Sequence, residues 1–307
     1  MIDLQAVVAL RAVDTHGSVV GAAEALGFTP SAVSQQVKRL ERQTGVALLE
    51  RVGRGVVLSL PGRLLVDAGT SVLRDLEQVQ ADLHRTAGGV AGHLRVGAFS
   101  TAMRGLVAPV ARDLLAAHPD LSLRLVEREP WDAIADVAAG RLDLGLVHSW
   151  GDVPIEVPDH LERVDVGSDL ADVVVHRDHR LADRPHVTPH DLVDEGWVAT
   201  PEGTICRQWL GRMYDGTGRR PRIAHEAMEF ESHLALVAAG LGIALIPRIG
   251  RAPLGADLVA VPAVDPTPTR SIVAVHRRSM GASPAVTAVV ASLTAASPGR
   301  RPDDRDD

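Results

Sequence analysis

The chain has 307 residues, of which 46% are hydrophobic and 23% are charged, so it is long enough for two or more folded domains. These proportions exclude an extended disordered or fibrous protein, and the single cysteine, Cys206, excludes both an internal disulfide and a zinc site built from cysteines. The net charge is −7, yet residues 28–63 carry six basic and two acidic side chains, a local excess of the kind that attracts a polyphosphate.

Three short helices are predicted at the start of the chain. Apolar residues recur at helical spacing from 4 to 13, and a second helix runs from 18 to 26; a glycine ends each of them. Thr29 then supplies an N-cap oxygen, and Pro30 occupies the first turn of a third helix over residues 30–43. Two helices joined by a glycine-containing turn predict a helix-turn-helix.

The third helix has one apolar and one polar face. Val33, Val37 and Leu40 form the stripe that is expected to be buried, while polar and basic side chains occupy the opposite face. Residues 51–60 then predict a β-hairpin with glycines at its tip, which is typical of a wing. In such an arrangement the third helix enters the major groove and the arginines of the wing lie against phosphates.

The spacing of these residues resembles that of one protein family. The segments Ser18–Leu26, Thr29–Glu41, Gly45–Arg51 and Leu58–Gly62 resemble the winged-helix domain of LysR-type transcriptional regulators. The resemblance implies that the first two turns of the third helix face DNA. With the outer helix face and the wing, the expected DNA-binding residues are Thr29, Pro30, Ser31, Ser34, Gln35, Lys38, Arg39, Arg42, Arg51 and Arg54.

A long helix is predicted to follow the wing. Its apolar residues fit an alternating three-and-four spacing with Gly69 filling one position, which favours pairing with a second copy of the chain. The alternative is a helix packed on its own domain. Glycines near residue 90 predict a hinge, so residues 1–60 are assigned to the DNA-binding domain and 61–91 to the linker. The seam residues are Leu65, Val72, Leu76, Val79 and Leu83.

The remainder of the chain alternates predicted strands and helices, which indicates parallel sheets flanked by helices. One of the predicted strands covers residues 172–176. The segments Gly140–Val147 and Val237–Pro247 resemble the effector domain of the same family, which is built like a periplasmic solute-binding protein. The expected fold is therefore an N-terminal all-α winged helix-turn-helix, a long linker helix and a C-terminal α/β domain of two lobes. The domain covers 92–297, with lobe I at about 92–163 and 267–297 and lobe II at about 164–266, and residues 298–307 are expected to be a disordered tail.

A two-lobed α/β domain binds its ligand in the cleft, where strands end and helices begin. Four glutamates fall near this cleft and repel a carboxylate unless they turn away or unless Arg104 or Arg207 offsets them, so the charge of the effector stays open. They are Glu129, Glu202, Glu229 and Glu231. The expected effector-binding residues are Ser100, Thr101, Glu129, His148, Ser149, Thr200, Pro201, Thr204, Glu229 and Phe230.

The sequence offers no catalytic motif. It contains neither a nucleophile elbow nor a phosphate-binding or dinucleotide-binding glycine loop, and the histidines between 176 and 190 lack the spacing of a metal site. We therefore expect no enzyme activity, no cofactor and no metal. Cys206 is expected to be a small hydrophobe, with a redox sensor as the alternative.

The sequence thus predicts a transcriptional regulator that binds operator DNA and a small-molecule effector. The expected location is the cytoplasm, because Met1–Leu4 do not begin a signal peptide and no apolar run reaches about 18 residues. Its further expected partners are copies of itself, as a homodimer or homotetramer, and RNA polymerase, but no membrane. The alternative is a cytoplasmic solute-binding or sequestering protein with an accessory helical domain, from which residues 1–88 can be deleted without loss of function.

Overall fold

A computed structural model of the chain describes residues 2–52, 55–87, 89–151 and 153–297. The chain separates into two compact units, residues 1–83 and 84–307. Arg54 of the expected wing, Gly88 of the expected hinge and the tail 298–307 lie outside the described residues. No helix in the described ranges is both long and apolar enough to cross a membrane.

The first unit begins with the three predicted helices, and their caps are the predicted residues. Ser18 Oγ accepts a hydrogen bond of 3.0 Å from the backbone N–H of Gly21, and Thr29 Oγ1 accepts one of 3.2 Å from that of Ala32. Each helix ends at a glycine in the left-handed conformation. The helices are α1 Leu4–His16, α2 Val19–Leu26 and α3 Pro30–Thr44.

The core of this unit confirms the predicted face of α3. Val33, Val37 and Leu40 are at most 3% exposed and pack with α1. The hairpin consists of β1 Leu49–Val52 and β2 Gly55–Leu58, so it begins two residues before the predicted span. It begins earlier because Leu49 pairs with Leu58 across the strands and packs against the same core.

The long helix α4, Leu60–Ala87, divides into two parts. Its first turns pack on the winged-helix core, and a Cβ added at Gly69 would collide with the side chain of Val7. Gly69 is therefore required by the close approach of α1, and the expectation that it fills a position of the seam was wrong. Beyond it the apolar residues Val72, Leu76, Val79 and Leu83 are between 43% and 65% exposed.

The second unit contains nine strands and six helices within its described residues. In chain order they are β3 Gly92–Ala98, α5 Ser100–Ala102, α6 Ala108–Ala117, β4 Leu121–Glu127, α7 Pro130–Ala138, β5 Leu144–Trp150, β6 Leu161–His176, β7 Gly196–Ala199, α8 Ile205–Met213, β8 Arg222–Glu226, α9 Phe230–Ala238, β9 Ala244–Pro247, β10 Leu258–Pro262, β11 Thr269–Arg277 and α10 Pro284–Ala296. A π-helical turn, Met103–Val107, joins α5 to α6.

Strand β6 is shared by two lobes. Residues 161–170 pair with β11, which extends the sheet of β4, β3 and β5, and residues 171–176 pair with β9 and β10. The sequence predicted only the end of this strand, 172–176, because its first half is polar. The pairing register of β6 with β11 shifts near Gly167, where the strand bulges, and the φ of 146° at this position favours glycine. The part of β6 that pairs with β11 continues to residue 170, past the expected lobe boundary at 163.

Candidate DNA interface and ligand cleft

The outer face of α3 carries the side chains that were expected to contact DNA. Apolar residues at the spacing of Val33, Val37 and Leu40 hold the opposite face against the core, so this face is turned to solvent. Ser34 is half-buried, and the other expected residues of the segment are exposed, namely Thr29, Pro30, Ser31, Gln35, Lys38, Arg39 and Arg42.

The cations of this face differ in their availability. Lys38 has no ion-pair partner among the described residues. Arg39 Nη1 lies 3.6 Å from Asp3, a solvent-exposed pair that costs little to break, and Arg42 Nε donates to the carbonyl of Lys38. Arg51 is exposed on β1. The arrangement offers one amide, that of Gln35, for a base edge and several cations for phosphates.

The second unit contains a cavity of about 80 Å³ between the end of β3, the starts of α7, α8 and α9, and the strands β5 and β11. Seven of the ten expected effector-binding residues line it: Ser100, Thr101, Glu129, His148, Thr200, Thr204 and Phe230. Ser149, Pro201 and Glu229 are not among the lining residues. Ser149 does not line it because side chains alternate along a strand, and its neighbours His148 and Trp150 face the other side of β5.

The remaining lining residues were not among the expected effector-binding residues. They are Phe99, Pro130, Trp131, Gly203, Ile205, Cys206, Met228 and Arg270. Most are apolar and belong to the segments that carry the expected residues. Arg270 is the exception, because it is a charged residue near the start of strand β11.

Arg270 is fully buried and holds three parts of the second unit together. Its Nη2 lies 2.7 Å from the carboxylate of Asp169 on β6 and donates a 2.9 Å hydrogen bond to Thr101 Oγ1 after β3. The guanidinium also lies 5.0 Å from the ring centre of Phe99 and 5.7 Å from that of Trp150. A fully paired, aromatic-stacked arginine of this kind is fixed in place.

The hydroxyls of the expected effector-binding threonines are engaged within the protein. Thr101 accepts from Arg270, and Thr204 caps α8 by accepting from the backbone N–H of Arg207 at 3.2 Å. Thr204 Oγ1 also lies 2.7 Å from Thr200 Oγ1, so the three hydroxyls hold the wall of the cavity in shape. Replacing either Thr101 or Thr204 by valine therefore alters the wall as well as the surface offered to a ligand.

His148 and Glu129 are among the titratable groups of the cavity whose pKa values are shifted by their surroundings. Burial, assisted by the nearby Arg270 charge, holds the pKa of His148 well below its ordinary value, so the imidazole is neutral. Its Nδ1 is buried and has no hydrogen-bond partner in the part of the chain that the structure describes. Burial raises the pKa of Glu129, and the negative charges of Glu127, Glu229 and Asp132 raise it further.

The arginines near the cleft are paired with acids. Arg104 lies 3.7 Å from Glu229 and 3.5 Å from Glu231, so it offsets two of the four glutamates. Arg207 pairs with Glu226 at 3.2 Å. Within the described ranges, no group of three or more His, Cys, Asp or Glu side chains is placed to hold a metal ion.

Two protein-family models match the chain. Residues 4–63 match the bacterial regulatory helix-turn-helix protein of the lysR family, and residues 87–298 match the LysR substrate binding domain. Among curated proteins, the hydrogen peroxide-inducible genes activator of Escherichia coli O157:H7 is 29% identical over 281 residues, which cover 90% of this chain and 88% of that protein.

Full-length regulators share the fold. A full-length OxyR variant from Pseudomonas aeruginosa superposes with a TM-score of 0.71 at 20% identity, covering 95% of each chain. Full-length CbnR, a LysR family regulator in complex with its target DNA, superposes with a TM-score of 0.55 at 21% identity, covering 96% of this chain and 99% of that one.

Proposed function

The chain belongs to the LysR family of bacterial transcriptional regulators, and we propose that it binds operator DNA with the outer face of α3 and responds to a small molecule in the cavity of its second unit. The observation that carries the DNA-binding part is the solvent-exposed face of Gln35, Lys38 and Arg42 on a helix capped by Thr29 and Pro30. CbnR, which has the same fold, was solved in complex with its target DNA.

The residues of α3 divide into those that contact base edges and those that contact phosphates. The start of α3 enters the major groove, where the side-chain amide of Gln35 pairs with an adenine edge through one donor and one acceptor. Lys38 lies one turn further along and contacts a phosphate, which contributes affinity but no sequence preference. Arg39 and Arg42 add charge near the same strand.

Two substitutions test this division. Gln35→Ala is expected to lose about 1–3 kcal/mol on the selected site and almost nothing on random duplex. Lys38→Ala is expected to weaken binding to both, and to flatten the slope of log K against log salt by about one unit per half-site. Gln43→Ala, an exposed change at the other end of α3, serves as the control. Equal losses on both kinds of DNA for Gln35→Ala would refute its assignment as a base reader.

We propose that α4 pairs two copies of the chain. The exposed residues Val72, Leu76, Val79 and Leu83 recur at alternating spacing and form one apolar face. Burying that face in a homodimer places two winged helices on one DNA molecule, so the operator is expected to have two related half-sites. A homotetramer uses the same pairing twice.

The effector part of the proposal rests on Arg270. Strands β6 and β11 run beside each other past the cavity, and Arg270 on β11 is bonded to Asp169 on β6 and to Thr101 after β3. Asp169 also accepts from the backbone N–H of Ile249, beyond β9. A ligand that contacts Arg270 therefore acts on a hydrogen-bond network that joins the two lobes. Binding of the ligand in the cavity can change the distance between the lobes through this network.

The relative from Escherichia coli is named for its response to hydrogen peroxide. An oxidant-sensing cysteine needs an accessible thiolate. Cys206 is the only cysteine of this chain, and burial raises the pKa of its thiol to about 11. The thiol is therefore protonated at neutral pH, and the chemistry of the cavity favours a reversibly bound small molecule as the effector.

A further inference from the structure

The cavity of the second unit contains one carboxylate, that of Glu129, which no cation of the described residues pairs with. Glu129 lies at the N-cap of α7, where a negative charge is favourable, but its side chain makes no capping hydrogen bond. It lines the cavity and has no ion-pair partner among the described residues. A helix terminus accounts for an acidic residue at this position but not for a half-buried carboxylate that is left without a donor.

The charges around the cavity are predominantly negative. Arg270, the one cation in the wall, is neutralised by Asp169 at 2.7 Å. Arg104 is shared between Glu229 and Glu231, so that cluster retains a net negative charge. Glu127 and Asp132, which flank Glu129 in the chain, add to the negative field at its carboxylate. Such a field attracts a cation and repels a carboxylate.

The walls suit an organic cation with an apolar body. The rings of Phe99, Trp131 and Phe230 and the thioether of Met228 line the cavity, and aromatic faces attract ammonium and guanidinium groups. Trp131 and Met228 are 42% and 44% exposed, so two large apolar side chains at this cavity remain uncovered in the protein alone. A ligand that covers them gains the free energy of burying apolar surface.

An independent polar group in the cavity also lacks a partner. His148 is only 3% exposed and lines the cavity, and its Nδ1 makes no hydrogen bond to any described residue. Its neutral ring packs edge-on against Phe99 at 4.5 Å, and in the tautomer protonated on Nε2 its Nδ1 accepts a hydrogen bond. A ligand with several N–H groups satisfies both this nitrogen and the carboxylate of Glu129.

We propose that the effector is a small organic cation, an amine or amidine on an apolar body, held by Glu129 and His148 against the aromatic wall. The inference rests on the proposed effector function and adds the chemical class of the ligand. It also gives an answer to the question of effector charge that the sequence left open, because Arg104 pairs with two glutamates and Arg270 with Asp169.

The proposal is tested by calorimetric titration of the full chain with three probes of similar shape. The probes are benzylammonium, benzyl alcohol and benzoate. Benzylammonium is expected to bind at least about ten-fold more tightly than benzoate. Glu129→Gln is expected to remove most of that preference, while Glu156→Gln, which removes the same charge from an exposed loop residue outside the cavity, leaves it unchanged.

The inference is overturned if benzoate binds as tightly as benzylammonium, or if benzylammonium shows no saturable binding. The comparison of probes on the unaltered chain needs no variant, so a Glu129→Gln protein that fails to fold does not remove the test. Operator binding is measured on the same preparations. Intact DNA binding without a preference for the amine refutes only the ligand class, whereas loss of sequence-specific DNA binding refutes the proposed function.

Discussion

Replacing Arg270 by methionine is expected to destabilise the second unit strongly. The substitution keeps an unbranched apolar side chain of comparable length but removes the cation that lies 2.7 Å from the Asp169 carboxylate, and Asp169 is 4% exposed. Removing one partner of a buried ion pair leaves an uncompensated charge, which costs about 3–5 kcal/mol. Thr101 also loses the donor that holds its hydroxyl in the cavity wall.

The magnitude translates into a large shift in the melting temperature. For a unit of about this size, each kcal/mol lowers the midpoint by about 2–4 °C, so Arg270→Met is expected to melt roughly 6–20 °C below the unaltered chain. The double variant Arg270→Met with Asp169→Asn removes the buried charge and keeps an acceptor for the N–H of Ile249. It is expected to be more stable than Arg270→Met alone.

Differential scanning calorimetry of the full chain resolves these variants. Arg112→Met is the control, because its partner Asp113 and the arginine itself lie on an exposed helix face, where an ion pair contributes little. A melting temperature for Arg270→Met equal to that of Arg112→Met would refute the assignment of Arg270 to the centre of the cavity network. A double variant less stable than Arg270→Met would refute the explanation by an unpaired charge.

Three further predictions follow from individual side chains. Leu76→Asp places a charge on the apolar face of α4 and is expected to give monomers in sedimentation; an unchanged mass would contradict the proposed pairing. His148 has a pKa below its unfolded value, so the unfolded chain gains a proton first and stability falls as pH drops below about 6.5, with a limiting slope of about 1.4 kcal/mol per pH unit. His148→Asn is expected to reduce that slope in urea titrations between pH 7 and pH 5, and an identical slope would count against it. Cys206 is expected to resist iodoacetamide in the folded chain at pH 7.5, and labelling as fast as that of a free thiol would contradict its raised pKa.

The DNA-binding unit was predictable because its determinants are local. Ser18, Thr29 and Pro30 cap helices within three residues of their own positions, and each helix ends at a glycine. The contacts of Gly69 were not predictable in the same way. The spacing of apolar residues shows that α4 has an apolar face. It does not distinguish a turn of α4 that packs on α1 from a turn that pairs with a second copy of the chain.

Much of the cavity was predictable, but its central cation was not. Thr101, Glu129 and His148 each follow a predicted strand, and the carboxyl ends of parallel strands meet at one edge of a sheet, so the amino-acid pattern alone predicts that they are neighbours. Arg270 is separated from Asp169 by 101 residues and from Thr101 by 169, so no local pattern connects them. Only five of the 16 residues of strand β6 were predicted, because the polar side chains of its first half resemble those of a loop.

The central claim is that α3 recognises the operator sequence. It is tested most directly by letting the full chain select the sequences that it binds from a pool of random duplex DNA. A motif with two dyad-related half-sites is expected to be enriched, and Gln35→Ala is expected to lose preference at the same position of each half-site. The sequestering alternative, in which residues 1–88 are dispensable, predicts no enrichment. A pool without an enriched motif, or a motif that Gln35→Ala selects unchanged, would contradict the claim.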